Sequence, residues 1–251
     1  MKRNSRANDI EIRRADNVSS FLAHVEQIRA IESALGNGAD LIFRGQNCDE
    51  RLLPTIARIG KDVSKHERLI TDEFARLSLP MCELQPGNEW DLLVLAQHHG
   101  LPTRLLDWTY NALAALWFAV EHRQRRHSKS QRDAVVWILC GEPEDFRVNT
   151  TDTSPLDNKV RTLIYRPKPM TRRIVAQSAV FTVHKLVEGE RFIALENNKS
   201  YKRKLKRIDI QSRDLDFIEK ELDMLGANAA QYFPDLDGLC DHLRWRYFHR
   251  R

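Results

Sequence analysis

Apolar residues recur at helical intervals in several segments of the first half of the chain. Residues 18–35 carry them at three- and four-residue spacing, with Asn17 or Ser19 as the N-terminal cap and Gly36 at the end. Comparable patterns predict three more helices, at residues 64–79, 89–98 and 112–120. The first half is therefore predicted to be mainly helical.

Short segments rich in β-branched and aromatic residues predict strands, most of them in the second half. Residues 134–139 give the strongest pattern, and residues 41–46 indicate a short buried strand that ends in polar groups. Further strands are predicted at residues 162–165, 177–184, 192–195 and 205–210. Helices at residues 215–225, ended by Gly226, and at 235–247 follow. We expect an α+β fold in a single domain, with a helix-rich first half and a mixed or antiparallel sheet completed by the second half.

The two ends of the chain differ in pattern. Residues 1–16 are charged and lack an apolar period, so we expect a loose N-terminal tail there. Residues 17–251 then form the domain, with flanking helices at its N- and C-terminal ends. Apolar residues make up 42% of the chain, enough for a core, and the lack of a run of about 18 apolar residues predicts no membrane span. No feature of the sequence predicts the oligomeric state.

The cysteines are scattered, and none belongs to a CxxC pair; they are Cys48, Cys82, Cys140 and Cys240. This spacing is typical of reduced thiols and predicts a cytoplasmic protein. No His or Cys spacing of a zinc site is present, so we expect no metal. The GxxxxGK[ST], GxGxxG and GxSxG motifs are also missing from the sequence, which disfavours P-loop, Rossmann and hydrolase sites.

The net charge of +5 permits contact with nucleic acid without requiring it. The basic residues cluster at residues 122–129 and 199–207. A solvated helix end or loop is the more common role of such clusters. Aromatic residues, on which single-stranded nucleic acids stack, are represented there only by Tyr201.

A polar segment between two predicted helices is dense in chemically active groups. It offers two imidazoles, a guanidinium, a carboxylate, two hydroxyls and an indole, from His98, His99, Arg104, Asp107, Thr103, Thr109 and Trp108. Gly100 and Pro102 end the preceding helix, because glycine is conformationally permissive and proline has no amide donor. We expect a polar loop that holds these side chains still between two buried helices.

Each of these groups also has an ordinary structural role. Arg104 and Asp107 are close enough to pair with each other, and Asp107 is also placed to cap the next helix. Structural roles for both are more common than catalytic ones. His98 and His99 are adjacent, so on a helix they point in different directions; one can enter a pocket while the other packs or faces water.

Two further polar positions lie at the ends of predicted strands. Arg44 ends a strand, where a guanidinium can bind a phosphate or carboxylate, and Gly45 would let a ligand approach the backbone. An internal ion pair is an equally good role for Arg44. Gln177 begins a later strand and can donate and accept at once, either to a sugar hydroxyl or to buried backbone groups. Thr103 and Thr109 can likewise bond a ligand or their own backbone.

Several of these segments together resemble the FRG domain family. The motif behind the family's name stands here as Phe43-Arg44-Gly45-Gln46, and the longest match is residues 96–109. Shorter matches are Leu53-Pro54, Glu67 with Phe74, residues 115–119, Ala176-Gln177 with Phe181, and residues 233–238. The resemblance covers residues 40–243, and it identifies residues 17–251 as an FRG domain with flanking helices. The family resemblance alone implies no particular reaction.

A second, weaker resemblance is to ADP-ribosyltransferases, and it implies NAD as a substrate. Their NAD site begins with an aromatic-Arg-Gly strand, which Phe43-Arg44-Gly45 resembles. A Ser/Thr-containing strand and a helix rich in alanine and aromatic residues follow, and residues 103–119 are similar in order. Their third element is a strand with a catalytic Glu, and the matching position here is Gln177. FRG-like proteins occur among bacterial toxin and defence systems, which implies a toxin or antiphage effector.

The resemblance also implies the site residues. Those expected to bind NAD are Arg44, Gly45, Gln46, Thr103, Arg104, Thr109 and Phe118. Those expected to act in catalysis are Arg44, His99, Asp107 and Gln177. Arg44 would bind the diphosphate or the ribose, and Phe118 or Trp108 would pack on the nicotinamide. His99 or Asp107 would orient or deprotonate an acceptor, either a protein or a nucleic acid.

Other functions stay open on the sequence. A nuclease or nucleotide hydrolase would use His98, His99 and Asp107. A non-catalytic module would bind a nucleotide or nucleic acid through Arg44 and the basic segments. The third interpretation is an internal network of polar side chains that only stabilises the fold.

Overall fold

The computed structural model describes residues 10–59, 62–82, 85–121, 132–147, 153–157, 161–189 and 191–250. Within these ranges the strands are β1 (Glu11–Ala15), β2 (Asp40–Gln46), β3 (Leu105–Thr109), β4 (Ala134–Gly141), β5 (Leu163–Tyr165), β6 (Ala179–Val183), β7 (Leu186–Val187), β8 (Arg191–Phe192) and β9 (Leu205–Ile210). The α-helices of the same ranges are α1 (Val18–Leu35), α2 (Val63–Ser78), α3 (Glu89–His98), α4 (Ala112–Val120), α5 (Arg172–Ala176), α6 (Leu215–Met224), α7 (Ala229–Tyr232) and α8 (Leu236–Phe248).

Seven of the described strands form one sheet in the order β1-β9-β4-β2-β3-β6-β5, and β7 pairs with β8 in a small second sheet. β1 runs parallel to β9, and the other neighbours are antiparallel. Strands from both halves of the chain contribute to this sheet. This confirms the predicted α+β class and the mixed sheet completed by the second half.

Local signals at the helix ends explain why the helix predictions succeed. Asn17 caps α1 by accepting the Ser20 amide, and Gly36 ends the helix with a φ of 65° in the left-handed region. Asn88 and Asn111 cap α3 and α4 in the same way, each through its side-chain oxygen. Across the described part of the chain, no helix is both long enough and apolar enough to cross a membrane.

Two strands of the seven-stranded sheet, as well as the two-residue strand β7, were missed by the sequence analysis. Glu11–Ala15 pairs with Lys206–Ile210, so the expectation of a loose tail through residue 16 is wrong for these residues. β1 is an edge strand with Ile12 exposed and only Ala15 buried, and therefore shows no apolar alternation. Leu105–Thr109 is a strand rather than part of a loop, and it pairs along its length with Ala179–Val183.

Other predictions need smaller corrections. The strand predicted at residues 192–195 is only Arg191–Phe192, because the chain turns into a short 3₁₀ helix at Leu195–Asn197. The strand predicted from Gln177 begins at Ala179, since Gln177 itself ends the short helix α5.

Helices α1, α4 and α6 cover one face of the sheet around β2. α6 contacts both α1 and α4, and the apolar α4 packs on β2 and buries Ala115, Leu116 and Ala119 in this core. β2 and α4 approach closely at Gly45, where an added Cβ would lie 1.9 Å from the Ala115 carbonyl oxygen and 2.7 Å from the Ala119 nitrogen. Gly45 is therefore required by helix-on-strand packing.

We expect Gly45→Ala to lower the free energy of unfolding by about 3 kcal/mol, because its methyl group would overlap α4 backbone that cannot move aside. Urea denaturation measures this. Gly87→Ala is the matched control, because its Cβ would meet mainly the flexible end of Lys168, at 3.2 Å, and should cost no more than about 0.5 kcal/mol. Equal stabilities for the two variants would contradict the close packing.

Candidate functional site

The sheet is split between its two central strands. Among the described residues, β2 and β3 share one register pair, Phe43 with Thr109. Beyond that pair β2 continues along β4 to Gln46, while β3 continues along β6 to Leu105. The diverging strands open a cleft of about 330 Å³, at the lower end of the range for ligand sites.

The cleft takes its walls from β2, β3, the end of α3, the middle of α4 and the turn from α5 into β6. Polar lining residues are Arg44, Gln46, Asn47, Glu50, Gln97, His98, Asp107, Thr109, Arg173 and Gln177. The remaining lining residues are Phe43, Gly45, Trp108, Ala115, Phe118, Ile174, Ala179 and Phe181. Of the residues predicted to form the site, the structure brings together Arg44, Gly45, Gln46, Asp107, Thr109, Phe118 and Gln177.

Arg44 bridges the split between the strands. Its Nη1 donates to the main-chain oxygen of Asp107 at 2.8 Å and lies 3.6 Å from the Asp107 Oδ2. Its Nε is buried without a hydrogen-bond partner among the described residues. Burial lowers the pKa of Arg44, and the nearby Asp107 carboxylate opposes that effect. A cation with an unused buried donor is a suitable anchor for a phosphate.

Asp107 supplies a carboxylate at the other side of the split. The Nε2 of Gln97 donates to both of its oxygens, at 3.1 and 3.2 Å. The side chain of Asp107 is 57% exposed, so it is open to a ligand in the cleft. Gln97 is a site residue that sequence reasoning missed, although it lies in the FRG-like segment.

Gln177 and Thr109 lie together in the cleft wall. The Thr109 hydroxyl donates to the Gln177 main-chain oxygen at 2.5 Å. The Gln177 side-chain nitrogen donates to the Tyr232 main-chain oxygen at 3.0 Å. Next in the chain, Ser178 has a φ of 46°, a left-handed conformation that directs the backbone into β6. The Gln177 amide is thus oriented by the protein before any ligand binds.

An aromatic cluster borders the cleft on the side of α4. The Phe118 ring lies about 6.0 Å from the rings of Tyr232 and Phe233, measured between centroids. Arg173, a second cleft cation missed in the sequence, stacks over Phe233 at 4.4 Å. Trp108 buries its ring elsewhere, since its Nε1 donates to Thr182 in the core. Phe118 is therefore the better candidate for contact with a ligand ring.

The two histidines are in edge contact, with ring centroids 5.0 Å apart, but they differ in exposure. His98 lines the cleft, whereas His99, predicted to be catalytic, is exposed and is not among the lining residues. His99 is the C-terminal cap of α3. Burial, together with the charge of Arg173, lowers the pKa of His98 to about 4. His98 is therefore a neutral imidazole at neutral pH.

Arg104 is a structural residue, contrary to the expectation that it binds NAD. It is 2% exposed and pairs with the equally buried Glu67, with Nη2 to Oε2 at 2.6 Å and Nε to Oε1 at 2.9 Å. Its Nη1 also donates to the main-chain oxygen of Pro155. The ion pair fixes α2 to the start of β3, away from the cleft.

Three other residues that were predicted to bind NAD make structural contacts. Thr103 is buried outside the cleft, where it donates to the Gln97 Oε1. Gly45 lines the cleft, but the space next to its Cα is filled by α4 rather than left for a ligand. Gln46 also lines the cleft, and its Oε1 accepts the Trp137 indole N–H at 3.0 Å.

The charged surroundings of the cleft are balanced. Glu50 lies at its rim with Arg58 as partner, and the hydrogen bond from Arg58 holds the pKa of Glu50 below its usual value.

Within residues 199–207, internal carboxylates pair with three of the basic side chains, namely Lys204, Lys206 and Arg207. The other basic cluster, residues 122–129, lies outside the described residues. In the described ranges, no three His, Cys, Asp or Glu side chains are grouped to hold a metal ion.

Comparison with known protein families gives one match, to a segment that includes part of this cleft. A model of the FRG domain matches residues 39–128. This segment is an FRG domain. The match includes β2, the polar segment and α4, and it confirms the resemblance there, although less than half of the chain is covered. No curated protein and no solved structure matches the chain.

The FRG segment does not contain the whole cleft. Arg173, Ile174, Gln177, Ala179 and Phe181 line it from beyond residue 128. Arg173 and Gln177 contact Phe233 and Tyr232, so the segment near α7 also supports the wall. The second half of the chain therefore completes the site.

We expect Glu67→Gln to lower the free energy of unfolding by about 3 kcal/mol, because it leaves Arg104 buried without a carboxylate. Glu73→Gln on the same helix is the matched control, since Glu73 pairs with Arg76 at the surface, and should cost less than about 1 kcal/mol. Urea denaturation of both variants tests this. A cost at Glu67 as small as that at Glu73 would contradict the structural role of the pair.

The lowered pKa of His98 predicts a pH dependence. Because its pKa is about 4 in the folded protein and 6.5 ordinarily, the unfolded chain binds the proton more readily. Its contribution to stability is complete above pH 6.5 and declines as pH falls towards 4. The His98 imidazole NMR signals should stay constant from about pH 8 to about 5.5. His98→Gln should remove this part of the loss of stability in acid. An inflection of the wild-type His98 NMR signals near pH 6.5 would contradict the prediction.

Proposed function

We propose that the cleft binds NAD and that the protein is an ADP-ribosyltransferase-like enzyme, which breaks the bond between nicotinamide and ribose. One observation carries the proposal. The three elements of the ADP-ribosyltransferase resemblance are β2, β3 with α4, and the Gln177 turn into β6, and the three strands are neighbours in the sheet. Arg44, Thr109 and Gln177 consequently line one cleft with Phe118.

The charges of the cleft suit the charges of NAD. The dinucleotide carries an anionic diphosphate and a cationic nicotinamide ring. Arg44 and Arg173 offer cations, and Asp107 offers a carboxylate close to Arg44. In this proposal the arginines bind phosphate, Phe118 packs on the nicotinamide, and Asp107 faces the cationic part. A cleft of about 330 Å³ accommodates the nicotinamide half and leaves the adenosine outside.

The proposed reaction is a displacement at the anomeric carbon of the nicotinamide ribose. Nicotinamide leaves with the electron pair of the glycosidic bond, and positive charge develops on the ribose. The Asp107 carboxylate stabilises that charge electrostatically. An acceptor oxygen or nitrogen then forms the new bond to the anomeric carbon and loses its proton to Asp107 or to water. Gln177, a neutral amide, holds a ribose hydroxyl rather than acting as a base.

The acceptor and the biological setting belong to the same proposal. The acceptor is a protein or a nucleic acid, or water when NAD is merely hydrolysed. A role as a bacterial toxin or antiphage effector is supported by the FRG resemblance, and a cytoplasmic location by four free cysteines.

The structure favours the other candidate functions less. A hydrolase or nuclease using His98, His99 and Asp107 together would need the three side chains in one site, and His99 lies outside the cleft. A nucleic-acid-binding module would need unpaired basic side chains, whereas Lys204 and Arg207 are engaged with internal carboxylates.

We expect purified wild-type protein to release nicotinamide from NAD. Arg44→Gln should reduce the rate about a hundredfold, which is the effect that loss of one well-placed donor to an anion has in other enzymes. Chromatography of released nicotinamide measures the rate. Unchanged melting temperature of the variant shows that the fold is retained.

Arg76→Gln is the control for loss of one positive charge, because Arg76 is exposed and pairs with Glu73 one turn away along α2. It should retain wild-type activity. Equal activity of Arg44→Gln and wild type would contradict the role of Arg44. Failure of the wild type to bind or cleave NAD would overturn the proposed function.

A further inference from the structure

The cleft keeps two opposite charges close together without a direct hydrogen bond between them. The Arg44 Nη1 donates to the main-chain oxygen of Asp107 at 2.8 Å, but it is 3.6 Å from the carboxylate Oδ2. A hydrogen-bonded guanidinium–carboxylate pair is closer, at about 2.8 Å. Arg44 is thus held by backbone, and a different group has to hold the carboxylate.

Gln97 is that group. It lies in the last turn of α3, and its Nε2 is 3.1 Å from Oδ1 and 3.2 Å from Oδ2 of Asp107. An amide NH₂ can only donate, so it favours an ionised carboxylate that accepts through both oxygens. The carboxylate is held on the side of α3 rather than drawn onto Arg44.

The orientation of the Gln97 amide is set by Thr103. The Leu105 backbone N–H donates to the Thr103 Oγ1 at 3.1 Å. The same hydroxyl donates its own proton to the Gln97 Oε1, 2.6 Å away. The amide oxygen of Gln97 therefore faces Thr103, and the NH₂ group faces Asp107. An ionised carboxylate can only accept, so Asp107 on one side and the donating Thr103 hydroxyl on the other both favour this orientation of the amide.

We propose that Gln97 is a positioning residue, oriented by Thr103, that keeps the Asp107 carboxylate apart from Arg44. Both charges then stay available to a ligand that carries opposite charges of its own. The inference rests on the proposed function for its ligand, because NAD combines an anionic diphosphate with a cationic ring. It assigns a function to Thr103, which is not among the residues that line the cleft.

The hydrogen bonds that run from Leu105 through Thr103 to Gln97, here called the relay, are tested first without any ligand. In Thr103→Val the hydroxyl is lost at nearly constant shape, so the Gln97 side-chain NH₂ signals in a ¹⁵N NMR spectrum should move and exchange faster with water. Thr103→Ser keeps the hydroxyl and should restore the wild-type signals. Unmoved signals in Thr103→Val would overturn the proposed orientation.

A double-mutant cycle on NAD affinity tests what the relay does. Gln97→Met removes the donor at similar length, and it should weaken NAD binding about tenfold in otherwise wild-type protein. In an Asp107→Asn background the same change should cost less than about twofold, because Gln97 acts through the Asp107 carboxylate. A purely structural Gln97 would weaken binding equally in both backgrounds, and that result would overturn the proposal.

The two parts can fail separately. If the wild type binds no NAD in calorimetry, the proposed function is overturned, and the NMR comparison of Thr103→Val with Thr103→Ser still decides whether the relay exists. If NAD binds and the cycle shows no coupling, the proposed function stands and the positioning role of Gln97 does not. Melting temperatures of all variants show which of them retain the fold.

Discussion

A hydrogen bond spans the split in the sheet, from the Arg44 guanidinium to the main-chain oxygen of Asp107. In a regular antiparallel ladder, such an oxygen accepts from the backbone of the neighbouring strand. Here β2 and β3 diverge after Phe43 and Thr109, so a side chain replaces the missing ladder bond. The cleft exists because of this divergence, and the polar groups of the site lie where the backbone leaves room for them.

Packing constraints on either side hold the split open. Gly45 lets α4 contact β2 at backbone distance, which fixes one wall. The buried pair of Glu67 and Arg104 fixes the start of β3 against α2, and thereby places Asp107 on the other wall. The long polar segment thus divides into two groups. Residues such as Arg104 are buried and hold the fold, while Asp107 is exposed to the cleft.

Much of the fold follows from local sequence, but the site does not. Asn caps and Gly36 mark helix ends, and the apolar run of β4 marks a central strand, so these elements are predictable. β3 is not, since an exposed aspartate and flanking polar residues conceal a five-residue strand. Pairing of β2, β3 and β6 is a non-local contact that no residue pattern encodes. His98 and His99 differ by one helical step, which decides between cleft and solvent.

Because Gln177 is neutral, the negative charge that the proposed reaction needs has to come from another strand. An enzyme that stabilises a developing cation needs a negative charge near it, and Gln177 cannot supply one. The carboxylate nearest to Arg44 in the cleft wall is Asp107, on β3 rather than at β6. Because Arg44 would neutralise a freely rotating carboxylate, restraint by Gln97 is a requirement for such chemistry rather than a detail of packing. The hydrogen bonds from Leu105 through Thr103 provide that restraint from outside the cleft.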